Sequence, residues 1–258
     1  MNASSQQRRD SILSQAYEKG HVSVKDLTDA LAVSSATVRR DLRALADSGE
    51  LSLTYGGASL ARKMDFSFQS KAARNTYAKQ VIGSLAAGLI PDGDQLFLDS
   101  GTTCFATAAF LRGKRGLSII LNSVRLAEVL DSPAISVILL GGQYRPARMD
   151  TIGPMATAAL EQLRGYVAMI GADGLGMDFG LTAGDIDSAA LYRLAVRNAR
   201  QTILLADSSK FAAASLYKIV DWDAVSRVVT EQMPDQPWRE FLASRNIEIT
   251  CPETAQTT

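Results

Sequence analysis

Residues 33–58 read VSSATVRRDLRALADSGELSLTYGGA. Within this stretch, apolar side chains recur at the i, i+4, i+7 spacing of one helix face, at Val38, Leu42 and Leu45. At about 100° per residue, the opposite face carries Ala36, Arg39, Arg40 and Arg43. A helix with three arginines on one side suits the major groove of DNA. A solvated arginine face on an ordinary surface helix would give the same pattern.

The ends of this helix carry their own signals. Ser34 or Ser35 can cap its start, because a short hydroxyl accepts from the free amides of the first turn, and Gly49 is expected to end it. Residues 51–57 then predict a short strand and a Gly-Gly turn, which fit a wing lying against the DNA backbone. The predicted DNA contacts are Ser34, Ser35, Ala36, Thr37, Arg39, Arg40, Arg43, Tyr55 and Gly56.

The residues upstream favour the DNA-binding interpretation. Residues 6–19 predict a first helix, residues 22–24 a short extended piece, and residues 24–31 a second helix that is followed by a short turn. Helix, strand, helix, turn, helix, strand and tight turn is the element order of a winged helix-turn-helix domain.

Length and composition exclude several other classes of protein. The chain has 258 residues, enough for two domains, and its net charge of zero argues against a protein that coats nucleic acid along its whole surface. No apolar run is long enough to span a bilayer, and the first ten residues lack the apolar core of a signal peptide. We therefore expect a cytoplasmic protein without a membrane partner.

The chain has too few cysteines and histidines for a metal site, a disulfide framework or a Ser-His-Asp triad to be expected. Cys104 and Cys251 are far apart, and His21 is the single histidine, so we expect no metal site, no disulfide framework and no cofactor. Cys104 follows two threonines at a predicted helix start, where a reactive thiolate is one alternative and a small buried residue the favoured one.

From residue 78 onward, short apolar strands alternate with amphipathic helices. The predicted strands are residues 95–99, 118–121, 135–140, 167–170 and 202–206. The predicted helices are residues 79–89, 124–130, 155–163 and 187–199, with one more that Gly101-Thr102-Thr103 opens and that runs through Leu111. This alternation predicts an α/β domain with a mainly parallel sheet covered on both faces.

Small and polar residues gather where these strands end. The predicted effector-site residues are Asp99, Gly101, Thr102, Thr103, Asn122, Ser123, Gly141, Gly142, Asp173 and Lys210. Because the carboxyl ends of parallel strands meet at one edge of a sheet, these residues indicate a site for a polar small molecule.

A phosphate is the ligand group that this pattern favours. Gly101-Thr102-Thr103 opens a helix, where free amides and the helix dipole attract an anion, but the loop is too short and lacks the lysine of a nucleotide P-loop. Asp99 and Asp173 could accept from sugar hydroxyls and Lys210 could pair with the phosphate. Each residue taken singly could instead be a helix cap, a loop cap or a salt-bridge partner.

The predicted domain boundaries follow from these patterns. Residues 1–60 are the winged helix-turn-helix domain, 61–77 an irregular linker, 78–252 the α/β domain and 253–258 a polar tail. The linker contains Arg62, Lys63, Phe66 and Phe68 without a clear period.

The motifs resemble the DeoR family of bacterial transcriptional regulators. Its signature is a Thr-(Ile/Val)-Arg-Arg-Asp-Leu core followed by a Gly-Gly-Ala wing, as in residues 37–42 and 56–58. The family's C-terminal pattern is met at residues 99–103, 122–123, 141–142, 180–182 and 207–211. In the family that domain is similar to ribose-5-phosphate isomerase and binds phosphorylated sugars. One departure is that Ser188 and Tyr192 stand where many relatives carry charged side chains.

The resemblance implies a repressor of sugar or sugar-derivative catabolism, whose operator affinity a phosphorylated sugar controls. Because one helix and one wing bury little surface, we expect a homodimer or homotetramer on operator DNA. The alternative is a sugar-phosphate isomerase-like enzyme with an accessory DNA-binding domain. It would use Asp99, Asp173 or Asp207 as a base and Lys210 for the phosphate.

Overall fold

A computed structural model of the chain describes residues 5–47, 51–60 and 68–255. It divides into two compact units, residues 1–76 and 77–258, which are taken in turn. The predicted helix end at Gly49, the linker residues Arg62, Lys63 and Phe66, and residues 256–258 of the predicted tail lie outside the described residues.

The described part of the first unit has the predicted order of elements. Its elements are α1 (Ser5–Lys19), β1 (His21–Ser23), α2 (Val24–Leu31), α3 (Ser35–Asp47), β2 (Leu51–Thr54), β3 (Gly57–Leu60) and α4 (Phe68–Ala73). The three strands pair antiparallel in the order β1-β3-β2. Ala32 takes a left-handed backbone conformation with φ of 50° and turns the chain from α2 into α3. This is a winged helix-turn-helix.

One glycine of the wing is required by close packing. A Cβ on Gly57 would lie 2.0 Å from the carbonyl oxygen of Val22, because β3 crosses directly against β1 there. Only a residue without a side chain fits this crossing. The Gly-Gly pair therefore serves both strand contact and turn, since Gly56 alone has a positive φ, of +79°.

A buried carboxylate joins α1 to α3 in the first unit. Asp41 is 2% exposed, and its oxygens accept from Nε of Arg8 at 2.5 Å and from Nε of Arg9 at 3.4 Å. Val38 and Leu42 flank it in the apolar core of the unit. The Asp of the Arg-Arg-Asp-Leu motif thus fixes α3 on the rest of the unit.

The segment predicted as an irregular linker contains a helix. Residues 68–73 form α4, which packs near α1 in the first unit. This helix could not be predicted, because six residues are too few to show a helical period.

The second unit is an α/β fold with a parallel central sheet. Its helices are α5 (Thr76–Gly88), α6 (Thr102–Leu111), α7 (Val124–Val129), α8 (Pro154–Glu161), α9 (Ile186–Asn198), α10 (Gln236–Ser244) and α11 (Pro252–Ala255). Its strands are β4 (Gln95–Leu98), β5 (Leu117–Leu121), β6 (Ile135–Leu139), β7 (Gln143–Arg145), β8 (Asp150–Ile152), β9 (Val167–Ile170), β10 (Gly174–Gly176), β11 (Gly180–Ala183), β12 (Gln201–Leu205), β13 (Tyr217–Val220), β14 (Arg227–Val229) and β15 (Glu248–Thr250). Short 3-10 helices lie at Ser208–Ala212 and Trp222–Ala224.

Seven strands of the described residues form the central sheet, in the order β15-β14-β12-β9-β4-β5-β6, and every pair in it is parallel. One apolar cluster, with α5, α6 and α7, covers one face of the sheet. A second cluster, with α8, α9 and α10, covers the other. The predicted fold class is therefore confirmed.

Two small antiparallel sheets were not predicted from the sequence. Strands β7 and β8 form a hairpin, and β10, β11 and β13 form a small sheet of their own. These strands have three or four residues each, too short for a period-two alternation to stand out. None of the described helices is both long and apolar enough to cross a membrane.

We expect Asp41→Ala to destabilise the first unit. The substitution removes a buried acceptor of charge-assisted hydrogen bonds, and such bonds contribute about 1.5–3 kcal/mol. Native-state hydrogen exchange of the α3 amides in the full chain measures the change. The exposed Asp29→Ala is the matched control and should change stability by no more than about 0.5 kcal/mol. Equal protection in the two variants would contradict the role of Asp41.

Candidate functional site

The arginine side of α3 is a free surface of the first unit. Arg39, Arg40 and Arg43 are exposed, and none of them makes an ion pair with another described residue. Val38, Leu42 and Leu45 on the opposite side are buried. The face therefore presents three positive charges that have no partner in the described part of the unit.

The other predicted DNA contacts border this face or lie in the wing. Ser34 caps α3, since its Oγ accepts from the amide of Thr37 at 3.2 Å. Ser35 and Ala36 are exposed in the first turn, so a duplex backbone could approach closely there. Tyr55 and Gly56 form the tip of the β2–β3 hairpin, and Tyr55 is fully exposed. A large aromatic side chain at such a tip contributes nothing to the core.

In the second unit, strand order reverses between β4 and β9. From β4 the chain proceeds through β5 to β6 on one side, and from β9 through β12, β14 and β15 on the other. In open α/β sheets, ligands bind in the crevice outside the carboxyl ends of the strands at such a reversal. The residues after β4 and β9 are Asp99–Thr103 and Gly171–Asp173.

Asp99 spans this reversal with its carboxylate. Its Oδ1 accepts from the amide of Gly101 and its Oδ2 from the amide of Gly171, so it ties the loop after β4 to the loop after β9. A Cβ on Gly101 would lie 2.7 Å from Oδ1, which explains the glycine two residues after the aspartate. The predicted role of Asp99 as a hydroxyl acceptor stays a prediction, and here the side chain is 1% exposed.

Burial dominates the titration of Asp99. It raises the pKa of the carboxyl from 3.8 to about 6, and the two backbone amides offset only part of this effect. Next to it, Cys104 is completely buried and free, and burial raises the pKa of its thiol well above the ordinary value. A small buried residue is therefore confirmed at position 104, and the reactive-thiolate alternative is wrong.

The amino end of α6 is open. Gly101 precedes the helix and has no side chain to cap it, whereas α7 and α9 are capped by Ser123 and Asp185. Thr102 is half-buried and Thr103 is 7% exposed. The first amides of α6 therefore lie beside the reversal point with no side-chain cap among the described residues, as an anion site requires.

Four further predicted residues support loops around this edge. Asn122 is buried and donates from Nδ2 to the carbonyl of Thr151 at 2.9 Å, which seats the β7–β8 hairpin against β5. Ser123 caps α7. Gly141 is exposed, and a Cβ on Gly142 would lie 2.5 Å from the carbonyl of Ile152, so both glycines belong to the base of the hairpin.

Asp173 and Lys210 lie on the other side of the reversal point. Oδ2 of Asp173 accepts from the amide of Gly184 at 2.7 Å. Lys210 is half-buried in the 3-10 helix that follows β12. Since β12 is two strands from β4, the ends of these two strands lie on the order of 10 Å apart in the hydrogen-bonding direction.

The sequence analysis missed a cluster of charged residues between the hairpin and α9. Arg145 donates to both oxygens of Asp150 at 2.7 and 2.6 Å and to Asp185 at 3.0 Å, and Arg148 also pairs with Asp185. Oγ of Ser100 lies 3.3 Å from Asp150. The chain Ser100–Asp150–Arg145 thus brings a guanidinium close to the residue that precedes Gly101.

Neighbouring charges and hydrogen bonds set the titration of this cluster. Burial alone would raise the pKa of Asp185, but hydrogen bonds from Ser188 and the charges of Arg145 and Arg148 lower it to about 2. Ser188 and Tyr192, which stand where many relatives carry charged side chains, both lie at this cluster. Oγ of Ser188 accepts from both arginines, and the hydroxyl of Tyr192 bonds to Ser100 at 2.8 Å. The one feature of the sequence that could have indicated this cluster is that Arg145 closely follows Gly141-Gly142, which were predicted to belong to the site.

These two units define a class of protein. An exposed arginine helix beside a wing is a DNA-binding surface, and a crevice at the reversal of a parallel sheet is a small-molecule site. Residues 8–64 match the DeoR-like helix-turn-helix domain, and residues 74–232 match the DeoR C terminal sensor domain. The chain belongs to the DeoR family and is a DNA-binding transcription regulator, which confirms the resemblance read from its motifs.

Several similar proteins match this chain along nearly their whole length. The HTH-type transcriptional repressor CsqR of Escherichia coli K12 is 30% identical over 95% of each chain. The lactose phosphotransferase system repressor of Lactococcus lactis is 32% identical over 91% of this chain and 94% of its own. A ribose-5-phosphate isomerase structure covers 52% of this chain and 53% of its own at 17% identity, with a TM-score of 0.39. The relatives favour the regulator over the isomerase-like alternative.

We expect Asp99 to make stability depend on pH. Because its folded-state pKa of about 6 exceeds the ordinary 3.8, the folded state binds more protons than the unfolded state between those values. Its contribution to the free energy of unfolding therefore falls as pH rises from about 4 to about 6, by about 3 kcal/mol for a shift of this size. The difference in unfolding free energy between wild type and Asp99→Asn measures it.

Asp185→Asn provides a contrast of opposite sign. Since the pKa of Asp185 is lowered, its stabilising contribution is present above the ordinary value and is lost as pH falls from about 4 towards about 2.

A wild-type minus Asp99→Asn difference in unfolding free energy that stays flat from pH 4 to 6 would contradict the burial effect at Asp99.

Proposed function

We propose that this protein represses an operon for the catabolism of a sugar or sugar derivative, and that a phosphorylated sugar bound in the second unit lowers its operator affinity. We place it in the cytoplasm, bound to operator DNA as a homodimer or homotetramer. The observation that carries the sensing half is the open amino end of α6 at the reversal point of the sheet. The names of the relatives as repressors support the first half.

The exposed face of α3 supports operator recognition. Its three arginines can donate to base edges and phosphates, while the small side chains of Ser35 and Ala36 permit close approach of the helix start. The wing tip at Tyr55 and Gly56 then reaches the neighbouring backbone. The proposal assigns at least one arginine to base recognition and the others to phosphates.

The second unit supports a phosphate at Gly101, Thr102 and Thr103. Backbone amides and the positive end of the helix dipole attract an anion there, and two hydroxyls can donate to it. Arg145 lies close by through Ser100 and Asp150, but Asp150 and Asp185 neutralise its charge, so it supports the site by holding Asp150 in place. Lys210, in the 3-10 helix that follows β12, is assigned to the phosphate as a point charge.

In this proposal the aspartates of the site hold its loops in place through hydrogen bonds to backbone amides. Asp99, Asp173 and Asp207 all accept from backbone amides, of Gly101, Gly184 and Ser209 respectively. A carboxylate occupied in this way holds the amides that line the crevice. We therefore propose binding without a catalytic step, with Asp99 and Asp173 shaping the pocket and reaching sugar hydroxyls through their remaining acceptor capacity.

The triple variant Arg39→Ala, Arg40→Ala, Arg43→Ala should abolish specific operator binding. A base-reading arginine contributes about 1–3 kcal/mol and sequence preference, and a phosphate contact contributes to all sequences and to the salt slope. Fluorescence anisotropy against operator and scrambled duplexes at several salt concentrations separates the two roles. The control is Arg239→Ala, an exposed arginine of α10. Wild-type operator affinity in the triple variant would overturn the assignment.

Thr102→Val and Lys210→Ala should weaken sugar-phosphate binding while leaving operator binding without effector intact. Each removes a hydrogen-bond donor to a charged phosphate, so we expect a loss of about tenfold or more in affinity. Calorimetry with a panel of sugar phosphates and the matching free sugars measures it. Arg112→Ala, at the far end of α6, is the control. If free sugars bind as tightly as their phosphates, the phosphate has been placed wrongly.

A further inference from the structure

A concave site lies at the edge of the sheet opposite the proposed effector site. A cleft of about 630 Å³ lies between the carboxyl half of α9, the start of β12 and the segment before β14. We call it the amino-end cleft. Strand β12 enters the sheet here, whereas the proposed effector site lies where the strands leave it. Its volume is within the range of about 300–1,000 Å³ that small-molecule sites occupy.

Three arginines line the amino-end cleft, and two of them keep uncompensated charge. Arg193 donates from Nε to the carbonyl of Ile219 at 2.9 Å and from Nη2 to that of Lys218, which fixes its guanidinium without neutralising it. Arg197 is exposed and makes no ion pair or hydrogen bond with its side chain among the described residues. Arg200 is already neutralised by Asp94 at 2.7 Å.

The spacing of the two free charges has an energetic consequence. Arg193 and Arg197 are four residues apart on α9, so their like charges lie on one side of the helix and destabilise it slightly. Their place near the carboxyl end of the helix offsets part of this cost. With Asp223 as the one acid of the lining, and with Arg200 paired to Asp94, Arg193 and Arg197 leave the cleft a formal charge of +1. An anion between the two guanidiniums would remove the repulsion.

The rest of the lining indicates what else the anion carries. Ala199 and Val220 are partly exposed and supply an aliphatic wall beside the arginines, backed by the buried side chains of Val196 and Val225. A free inorganic ion would leave this wall in contact with water, whereas an organic phosphate would cover it and gain from the burial. Guanidinium groups suit phosphate oxygens because their N–H groups match them in pairs.

We propose that the amino-end cleft binds a small organic phosphate, with the phosphate on Arg193 and Arg197 and the non-polar part on the aliphatic wall. The site is separate from the proposed effector site and does not depend on it. It gives the second unit two independent places for phosphorylated molecules, one at each edge of the sheet.

Calorimetric titration of the full chain with ADP, phenyl phosphate and inorganic phosphate tests the proposal. Arg197→Gln is the decisive variant because its side chain makes no contact whose loss would unfold α9. We expect ADP or phenyl phosphate to bind more tightly than inorganic phosphate, and Arg197→Gln to weaken that binding by about tenfold, as loss of a charge-assisted hydrogen bond requires. Arg239→Gln should bind like wild type.

Lys210→Ala separates the two sites. We expect it to leave the binding that depends on Arg197 unchanged. Absence of binding by any probe at millimolar concentration would overturn the proposal. So would equal binding by Arg197→Gln and wild type, or binding that Lys210→Ala removes, because the anion would then lie at the carboxyl ends of the strands.

Discussion

The carboxylate of Asp99 joins the two halves of the central sheet at the point where strand order reverses. One oxygen holds the amide of Gly101 after β4 and the other holds the amide of Gly171 after β9. Burial makes the charged form costly, as the raised pKa of about 6 indicates. The start of α6 depends on this arrangement, because the carboxylate holds the loop after β4 against the loop after β9.

The fold could be predicted because its long elements carry strong patterns. Helix α3 carries apolar residues at helical spacing on its buried side, and β4, β5, β6, β9 and β12 are short apolar runs that alternate with helices. The charged cluster of the effector site could not be predicted in the same way. Arg145 lies five residues from Asp150 but forty from Asp185, and only the tertiary fold brings the three together. The bond from Arg8 to Asp41 likewise joins residues 33 apart.

Several residues at strand ends that the sequence indicates as ligand contacts also stabilise the fold. Asn122 holds the β7–β8 hairpin, Ser123 caps α7, and Gly142 allows close packing at Ile152. Sequence alone cannot separate these roles, because a polar residue after a strand can serve a loop or a ligand. The open start of α6 differs, since no side chain of the described residues satisfies its amides.

For such a protein to act as a switch, the effector must bind more tightly to the arrangement that holds DNA poorly, because equal affinity for both would shift nothing. The most direct measurement is operator affinity of the full chain during titration with sugar phosphates, at fixed salt. The account predicts a saturable loss of about 5- to 150-fold with one sugar phosphate and none with its free sugar. Unchanged operator affinity at a sugar-phosphate concentration that calorimetry shows to be saturating would contradict it.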